Sequence, residues 1–240
     1  SLTIRRFFCY VVLILLAFLS LFPFYILVIN STRTHFQIQS GFSALPGKNL
    51  GMNFLQLVRA KEWRGPNGEV IKAFGTNYPI VKGLLRSLFV ATLCALVTTY
   101  FSAMTSYGLY MYNFKLKKAA FRFILAVMMV PTQVSTLGFY KLLIRLNLMN
   151  NYAALVVPAI AAPAVFFYMY QAMEATLPFS IVEASRVDGC NEFLTFNAIV
   201  LPMMKPAIAV QAIFSFVSSW NNYFIPSLIL EKDHWTVPLV

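Results

Sequence analysis

Charged side chains divide this chain into long apolar runs. No Asp, Glu, Lys or Arg lies between Arg6 and Arg33, and further gaps run from Arg86 to Lys115, Arg122 to Lys141, Arg145 to Glu174 and Lys205 to Glu231. A helix crosses the hydrocarbon core of a bilayer with about 20 mostly apolar residues, and these gaps approach or exceed that length. Backbone N–H and C=O groups find no water in lipid, so unbroken apolar runs must be helical there. The pattern predicts five spans, at roughly 8–29, 87–111, 122–141, 153–173 and 206–228. The alternation expected of transmembrane barrel strands is absent. The first run follows Arg5 and Arg6, but it is too long for a signal-peptide core and lacks a small-residue cleavage site, so it reads as a retained helix.

The connectors set the orientation. Residues 112–122 carry Lys115, Lys117, Lys118 and Arg122 without an acid, the strongest positive-inside signal in the chain. Placing that segment in the cytoplasm puts the N-terminus and the 174–205 segment there too. The long 30–86 segment then falls outside. It is broken by Pro46-Gly47-Lys48-Asn49 and Gly65-Pro66-Asn67-Gly68, and it contains two amphipathic pieces, Asn53–Trp63 and Tyr78–Leu88. The fold class expected is an all-α, polytopic integral membrane bundle, one transmembrane domain over 1–240.

Composition agrees. The 240 residues are 59% apolar and 11% charged, against about 45–50% and about 25% in soluble domains. Mean hydropathy is +0.70. The net charge of +11 sits between spans, not on a polar face interleaved with aromatics, so nucleic acid is not an expected partner. Cys9, Cys94 and Cys190 are scattered and odd in number, which forms neither a disulfide framework nor a metal motif. His35 and His234 both flank spans, and no HExxH or GxSxG motif occurs, so neither a catalytic site nor a metal site is expected. Gly41–Lys48 (GFSALPGK) imitates a phosphate loop, but its spacing is one residue too long and Asn49 stands where Ser or Thr would bind magnesium. It reads as an ordinary turn. Span cores without formal charge also argue against a proton-coupled pump.

Residues 176–204 are unlike a simple connector. Thr176 is an N-cap candidate with Pro178 in the first turn. Gly189 can take the left-handed conformation that ends a helix, and Asn191 can cap a second short helix holding Phe193, Leu194 and Phe196. Pro202 and Pro206 then break the chain before the last span. The expected element is a helix–turn–helix on the cytoplasmic surface that presents Glu183, Ala184, Ser185 and Asp188. Acids outnumber bases here, which favours a protein partner over anionic lipid headgroups.

This segment resembles the EAA loop of permeases in binding-protein-dependent ABC importers: Glu183-Ala184-Ser185, three residues, Gly189, nine residues, Ile199, then Leu201-Pro202. Ser185 replaces the family's second Ala. Asn77-Tyr78, the Tyr107 and Phe114 region, Val130-Pro131 with Gln133, and Trp220-Asn221 are similar to the maltose-type sugar permeases, so the likeness covers nearly the whole chain. The resemblance implies a type I ABC importer permease fold with a sixth span beyond Val240, in a bacterial plasma (inner) membrane with the N-terminus cytoplasmic. It implies a second homologous permease, two ATPase subunits holding ATP and magnesium, and an extracellular or periplasmic substrate-binding protein. This chain would hold no cofactor. Glu183 would pair with a basic group of the ATPase, Ala184 and Ser185 would allow close approach, Gly189 would set the turn, and Asp188 would brace it. Candidate groups along a substrate pathway are Gln133, Tyr140, Trp220, Asn221 and Asn222, with Tyr168 and Gln171 also within spans; interhelical bonding and interfacial anchoring are the plainer roles for all of them. An oligosaccharide importer is the leading reading. An importer of another solute, a secondary transporter and a membrane enzyme are the competitors.

Overall fold

The computed structural model describes residues 2–59, 63–64, 70–71 and 80–239; for residues 2–3, 56–59, 63–64, 70–71, 132 and 133 the description is of the backbone. The chain forms two compact units, Ser1–Ile80 and Val81–Val240.

The first unit opens with α1, Leu2–Ser31. Its side chains are exposed nearly throughout, Phe, Leu and Ile included. A helix apolar all round is stable only when lipid or protein covers it. α1 ends in a polar knot. Thr32 Oγ1 accepts the Gly47 N–H at 2.6 Å, and Asn53 Nδ2 donates to the carbonyls of Ser31 at 2.8 Å and Arg33 at 2.9 Å. The buried Arg33 guanidinium donates to the carbonyls of Gln37 and Gly41. Gly47 lies so close to the Thr32 carbonyl that no Cβ would fit; the phosphate-loop look-alike is a tight turn. Two short helices follow: α2, His35–Gln39, with a Thr34/Gln37 capping box, and α3, Leu50–Arg59. A two-residue antiparallel ladder pairs Trp63 with Ile71 and Arg64 with Val70. The Gly65–Gly68 turn and Asn77-Tyr78 lie outside the described residues, as do Ala60–Glu62 of the first amphipathic piece.

The second unit is built on α4, Ile80–Met111. Then come α5, Lys117–Met128, α6, Thr132–Arg145, and the stretch Ala153–Thr176, in which α7 (Ala153–Val156), a 3₁₀ turn at Pro158–Ile160 and α8 (Pro163–Thr176) follow one another. α9 is Phe179–Val187. α10 (Glu192–Leu194), a π-helical turn at Thr195–Val200 and α11 (Leu201–Met203) form one run. α12 is Lys205–Trp220 and α13 is Phe224–Ile229.

By length and composition, three helices among the described residues can cross a membrane: Ile4–Ser31, Ile80–Met111 and Ala153–Thr176. The run Glu192–Met203 with Lys205–Trp220 passes the same test as a pair bent by 82°. Neither 122–141 nor 206–228 is the single helix expected. Pro131 has no N–H and disfavours helical backbone at Val130, so α5 and α6 separate there. In the second case α12 stops at Trp220, and Asn222 Oδ1 accepts the Ile225 N–H at 3.4 Å, starting α13 afresh.

Two apolar clusters hold this unit. In one, Tyr107 of α4 packs with Met169 and Met173 of α8, Val182 of α9, and Phe196 and Val200 of the π turn. In the other, Leu143 of α6, Ala154 of α7, and Ile229 and Leu230 pack together. Asn150 ties the second end: its N–H donates to the Ile229 carbonyl at 3.0 Å, and its Oδ1 accepts the Glu231 N–H at 3.0 Å.

Candidate functional site: a pinned hairpin and a charge-free cavity

Leu177 precedes Pro178 and is therefore driven to extended backbone, at φ −106° and ψ 102°, which ends α8. Thr176 is not the cap expected of it. Its hydroxyl donates back to the Ala172 carbonyl at 2.7 Å, and Pro178, with φ −69° and ψ 136°, holds the cap position of α9. Asp188 follows α9, and its backbone N–H donates to the Ala184 carbonyl at 3.0 Å. Its carboxylate makes no hydrogen bond among the described residues, so the backbone braces the turn. Gly189 sits at φ +82°, a conformation that costs other residues roughly 1–2 kcal/mol. Asn191 Oδ1 then accepts the Leu194 N–H at 2.8 Å and caps α10.

Arg186 and Glu192 of the hairpin are held against Tyr107 of α4 and Tyr112 just past its end. Arg186 Nε donates to Glu192 Oε1 at 2.7 Å across the turn. The buried Tyr107 hydroxyl donates to Glu192 Oε2 at 2.8 Å. The Arg186 guanidinium also lies over the Tyr112 ring, 5.5 Å from its centroid. Burial pushes the Glu192 carboxyl up, but hydrogen bonds from Arg186, Tyr112 and Tyr107 outweigh it and hold the group below the usual carboxylate range. The hydrogen bond to Glu192 raises Arg186 in turn. Burial, followed by the Glu192 hydrogen bond, raises Tyr112.

Glu183, Ala184, Val187 and Asp188 are exposed on one side of α9 and its cap, Val187 at 87%. Ser185 is not among them. It is 3% exposed, and its hydroxyl lies 3.1 Å from Thr195 Oγ1. Its small size serves an internal contact between α9 and the π turn, not the display face. Leu201 and Pro202 lie just past that turn. Pro202 offers no N–H to the carbonyl of Ala198, and a lost i→i−4 bond is one way a helix widens or bends.

Of the pathway candidates with described side chains, Asn222 lines a cavity within this unit, a space of about 590 Å³. Tyr140, Trp220 and Asn221 do not line it. Trp220 stacks on Phe216 at 5.6 Å, Asn221 closes α12 through its N–H to the Val217 carbonyl at 3.0 Å, and Tyr140 is on α6. The Gln133 side chain lies outside the described residues. Gln211, Ser215 and Ser218 of α12 line the cavity instead. Reading apolar runs by their charge gaps passed over these neutral polar residues, whose spacing of four and three marks one helix face.

A helical unit with a short hairpin set between two apolar helical runs defines the class, a polytopic helical membrane protein. A crystal structure of a bacterial ABC transporter involved in the import of the acidic polysaccharide alginate shares this fold, with a TM-score of 0.80 and 18% identity over 99% of this chain and 78% of that one. The chain belongs to the family of binding-protein-dependent transport system inner membrane components, which matches residues 95–236. Among its relatives is the arabinooligosaccharides transport system permease protein AraQ of Halalkalibacterium halodurans, 37% identical over 64% of this chain. That match spans 55% of the relative, little more than half its length. The lactose transport system permease protein LacG of Rhizobium radiobacter is 31% identical over 96% of this chain and 78% of its own. The sn-glycerol-3-phosphate transport system permease protein UgpE of Yersinia pestis is 28% identical over 92% of this chain and 75% of its own.

Proposed function

We propose that this chain is a permease subunit of an ATP-driven importer of sugars, working with a second permease, two cytoplasmic ATPase subunits and an external binding protein. ATP and magnesium belong to the ATPases. The observation that carries the reading is the pinned hairpin Phe179–Leu194, whose exposed face offers an acid, a methyl group and an apolar branch while its other face is bonded to α4 and the π turn.

A coupling element must be stiff, because a loop that deforms dissipates the stroke delivered to it. Here the left-handed Gly189 turn, the Asn191 cap and the Arg186–Glu192–Tyr107 chain resist deformation. Closure of the ATPases on ATP would push α9 as a rigid body, and the spans would rock between inward-open and outward-open arrangements. α5 with α6, and α12 with α13, act as broken spans in this scheme. Saccharide cargo is favoured by the relatives named for arabinooligosaccharides and lactose.

Glu183 has no ion-pair partner among the described residues and is assigned to a basic group of the ATPase. Glu183→Lys reverses that charge on an exposed position, so the chain should reach the membrane in normal amount while ATP-driven sugar uptake falls at least tenfold. Normal uptake by this variant removes Glu183 from coupling. Recovery of the intact transporter without any ATPase, under detergent conditions that preserve such complexes, sinks the importer reading.

A further inference from the structure

We infer that the cavity beside α12 is a binding site for one neutral saccharide unit, and that it disfavours anionic solutes. The inference rests on the importer reading above and deepens it.

Every residue lining the cavity is formally uncharged. Its volume, about 590 Å³, falls in the range of about 300–1,000 Å³ that small-molecule sites occupy. Gln211, Ser215 and Ser218 line it from one face of α12, and their side chains make no hydrogen bond among the described residues. Serines in helices commonly bond back to the preceding turn, and Thr99 and Thr105 of α4 do so; Ser215 and Ser218 do not. Thr236 gives a second, independent sign. It lines the same cavity, is 5% exposed, and its hydroxyl has no partner among the described residues. Gln211 and Ser215 are half-buried and Ser218 is exposed, so it is at Thr236 that a polar group withdrawn from bulk water costs free energy until something bonds it.

What bonds them must match their chemistry. Serine and threonine hydroxyls and a glutamine amide both donate and accept, as sugar hydroxyls do. A phosphate or carboxylate needs more, because an anion in a low-dielectric site requires a cation or several convergent N–H donors. No Lys, Arg or His lines the space. This separates the chain's expected cargo from that named for UgpE, a phosphate ester, and from the acidic alginate of the structural relative.

A native thiol reports on the site. Cys94 lines the cavity, and Ser218→Cys places a second reporter on the facing helix. With Cys9 and Cys190 changed to Ser, each reporter is to be read in the assembled transporter in lipid nanodiscs, with ATP-driven uptake measured on matched proteoliposomes. The probes are two methanethiosulfonates of similar size, one with a neutral hydroxyethyl group and one with a sulfonatoethyl group, their rates normalised to those on a free thiol. The solutes are lactose, an arabinooligosaccharide, sn-glycerol-3-phosphate and an oligouronate. The site predicts that the neutral reagent labels at least tenfold faster than the anionic one at both positions, and that a transported neutral sugar slows labelling at least fivefold while the anionic solutes do not. Equal rates for the two reagents, equal protection by the anions, or no labelling at either position overturns the inference. Uptake of a neutral sugar without protection also overturns it, and leaves the importer reading standing. Loss of ATP-driven uptake for every saccharide removes that reading instead, whereas protection by neutral sugar alone still supports the cavity.

Discussion

Glu192 is where the hairpin meets α4, and its carboxylate does two jobs at once. It accepts from Arg186 within the hairpin and from Tyr107 of α4. Tyr107→Phe keeps the ring against Phe196, 5.4 Å away, and deletes one hydrogen bond to a charged acceptor. Such bonds contribute about 1.5–3 kcal/mol; water at the half-exposed carboxylate reduces this to about 1 kcal/mol. The expected result is a fall in melting temperature of about 2–4 °C, with more ATP hydrolysed per sugar moved. A purely structural role would lower both rates together and leave that ratio unchanged. The pH dependence has a definite sign. A carboxyl held below its usual range in the folded state contributes stability above the unfolded value, about 4.3, and loses it as pH falls through the folded value. The stability difference between wild type and Glu192→Gln should therefore be flat from pH 7 to 5 and shrink below about pH 4. A difference that instead grows in acid would contradict the direction assigned to this group. At Gly189 the strain is purely conformational, since an added Cβ would meet nothing within 4 Å. Gly189→Ala should destabilise the hairpin by roughly 1–2 kcal/mol, and Gly189→Asn should recover part of that, because Asn enters the left-handed region more readily. Equal melting temperatures for the Ala and Asn variants would rule out backbone strain as the cause.

At the scale of elements, the contact between α9 and the π turn decides whether the hairpin is rigid. Ser185 and Thr195 touch through their hydroxyls, and Thr195 is fully buried. Ser185→Leu adds bulk where there is no room; overpacking of this kind costs about 1–3 kcal/mol. Ser185→Ala fits the space but leaves the buried Thr195 hydroxyl without that bond, so it should cost about 1 kcal/mol, less than Leu. The pair is read by yield and melting temperature of the assembled transporter, and equal behaviour of Leu and Ala would show that α9 does not sit against the turn. The hairpin was legible in the sequence because its signals are local: Gly189 and Asn191 act within a few residues of themselves. The clamp was not, since Tyr107 and Glu192 lie 85 positions apart and nothing near Tyr107 announces its partner. Thr176 misled because a threonine before a helix suits a cap, while Pro178 two residues later takes the cap position. Pro131 was visible, but charge gaps are blind to a missing N–H, so 122–141 read as one helix. The serines of α12 were hidden for the same reason, because a span read by the absence of charge does not distinguish serine from alanine.

At the scale of the whole second unit, contacts made by side chains join the topology signal to the proposed coupling site. The basic connector 112–122 and the hairpin are far apart in sequence, yet Arg186 lies over the Tyr112 ring, and the Tyr110 hydroxyl donates to the Leu177 carbonyl at 3.2 Å. Both segments therefore lie on one side of the membrane, and Lys115, Lys117 and Lys118, which orient the one by the positive-inside rule, orient the other. Asn150 and Glu231 are bonded to each other, at the end of the unit held by the Leu143 cluster, with Lys232 close by in sequence. Cys190 and a Lys232→Cys reporter should accordingly face opposite compartments. With Cys9 and Cys94 changed to Ser, a membrane-impermeant maleimide applied to intact cells should label Lys232→Cys and leave Cys190 untouched, and the same reagent in inside-out vesicles should reverse the pattern. Lipid headgroups do not stop such reagents, so the half-buried Cys190 should still react within the inside-out set. If Cys190 is labelled from outside intact cells, the hairpin faces away from any cytoplasmic ATPase and cannot receive its stroke. If both positions are labelled from one side, the span between Lys205 and Ile229 does not cross, and the bend of 82° at Met204 marks a re-entrant segment instead of a broken span.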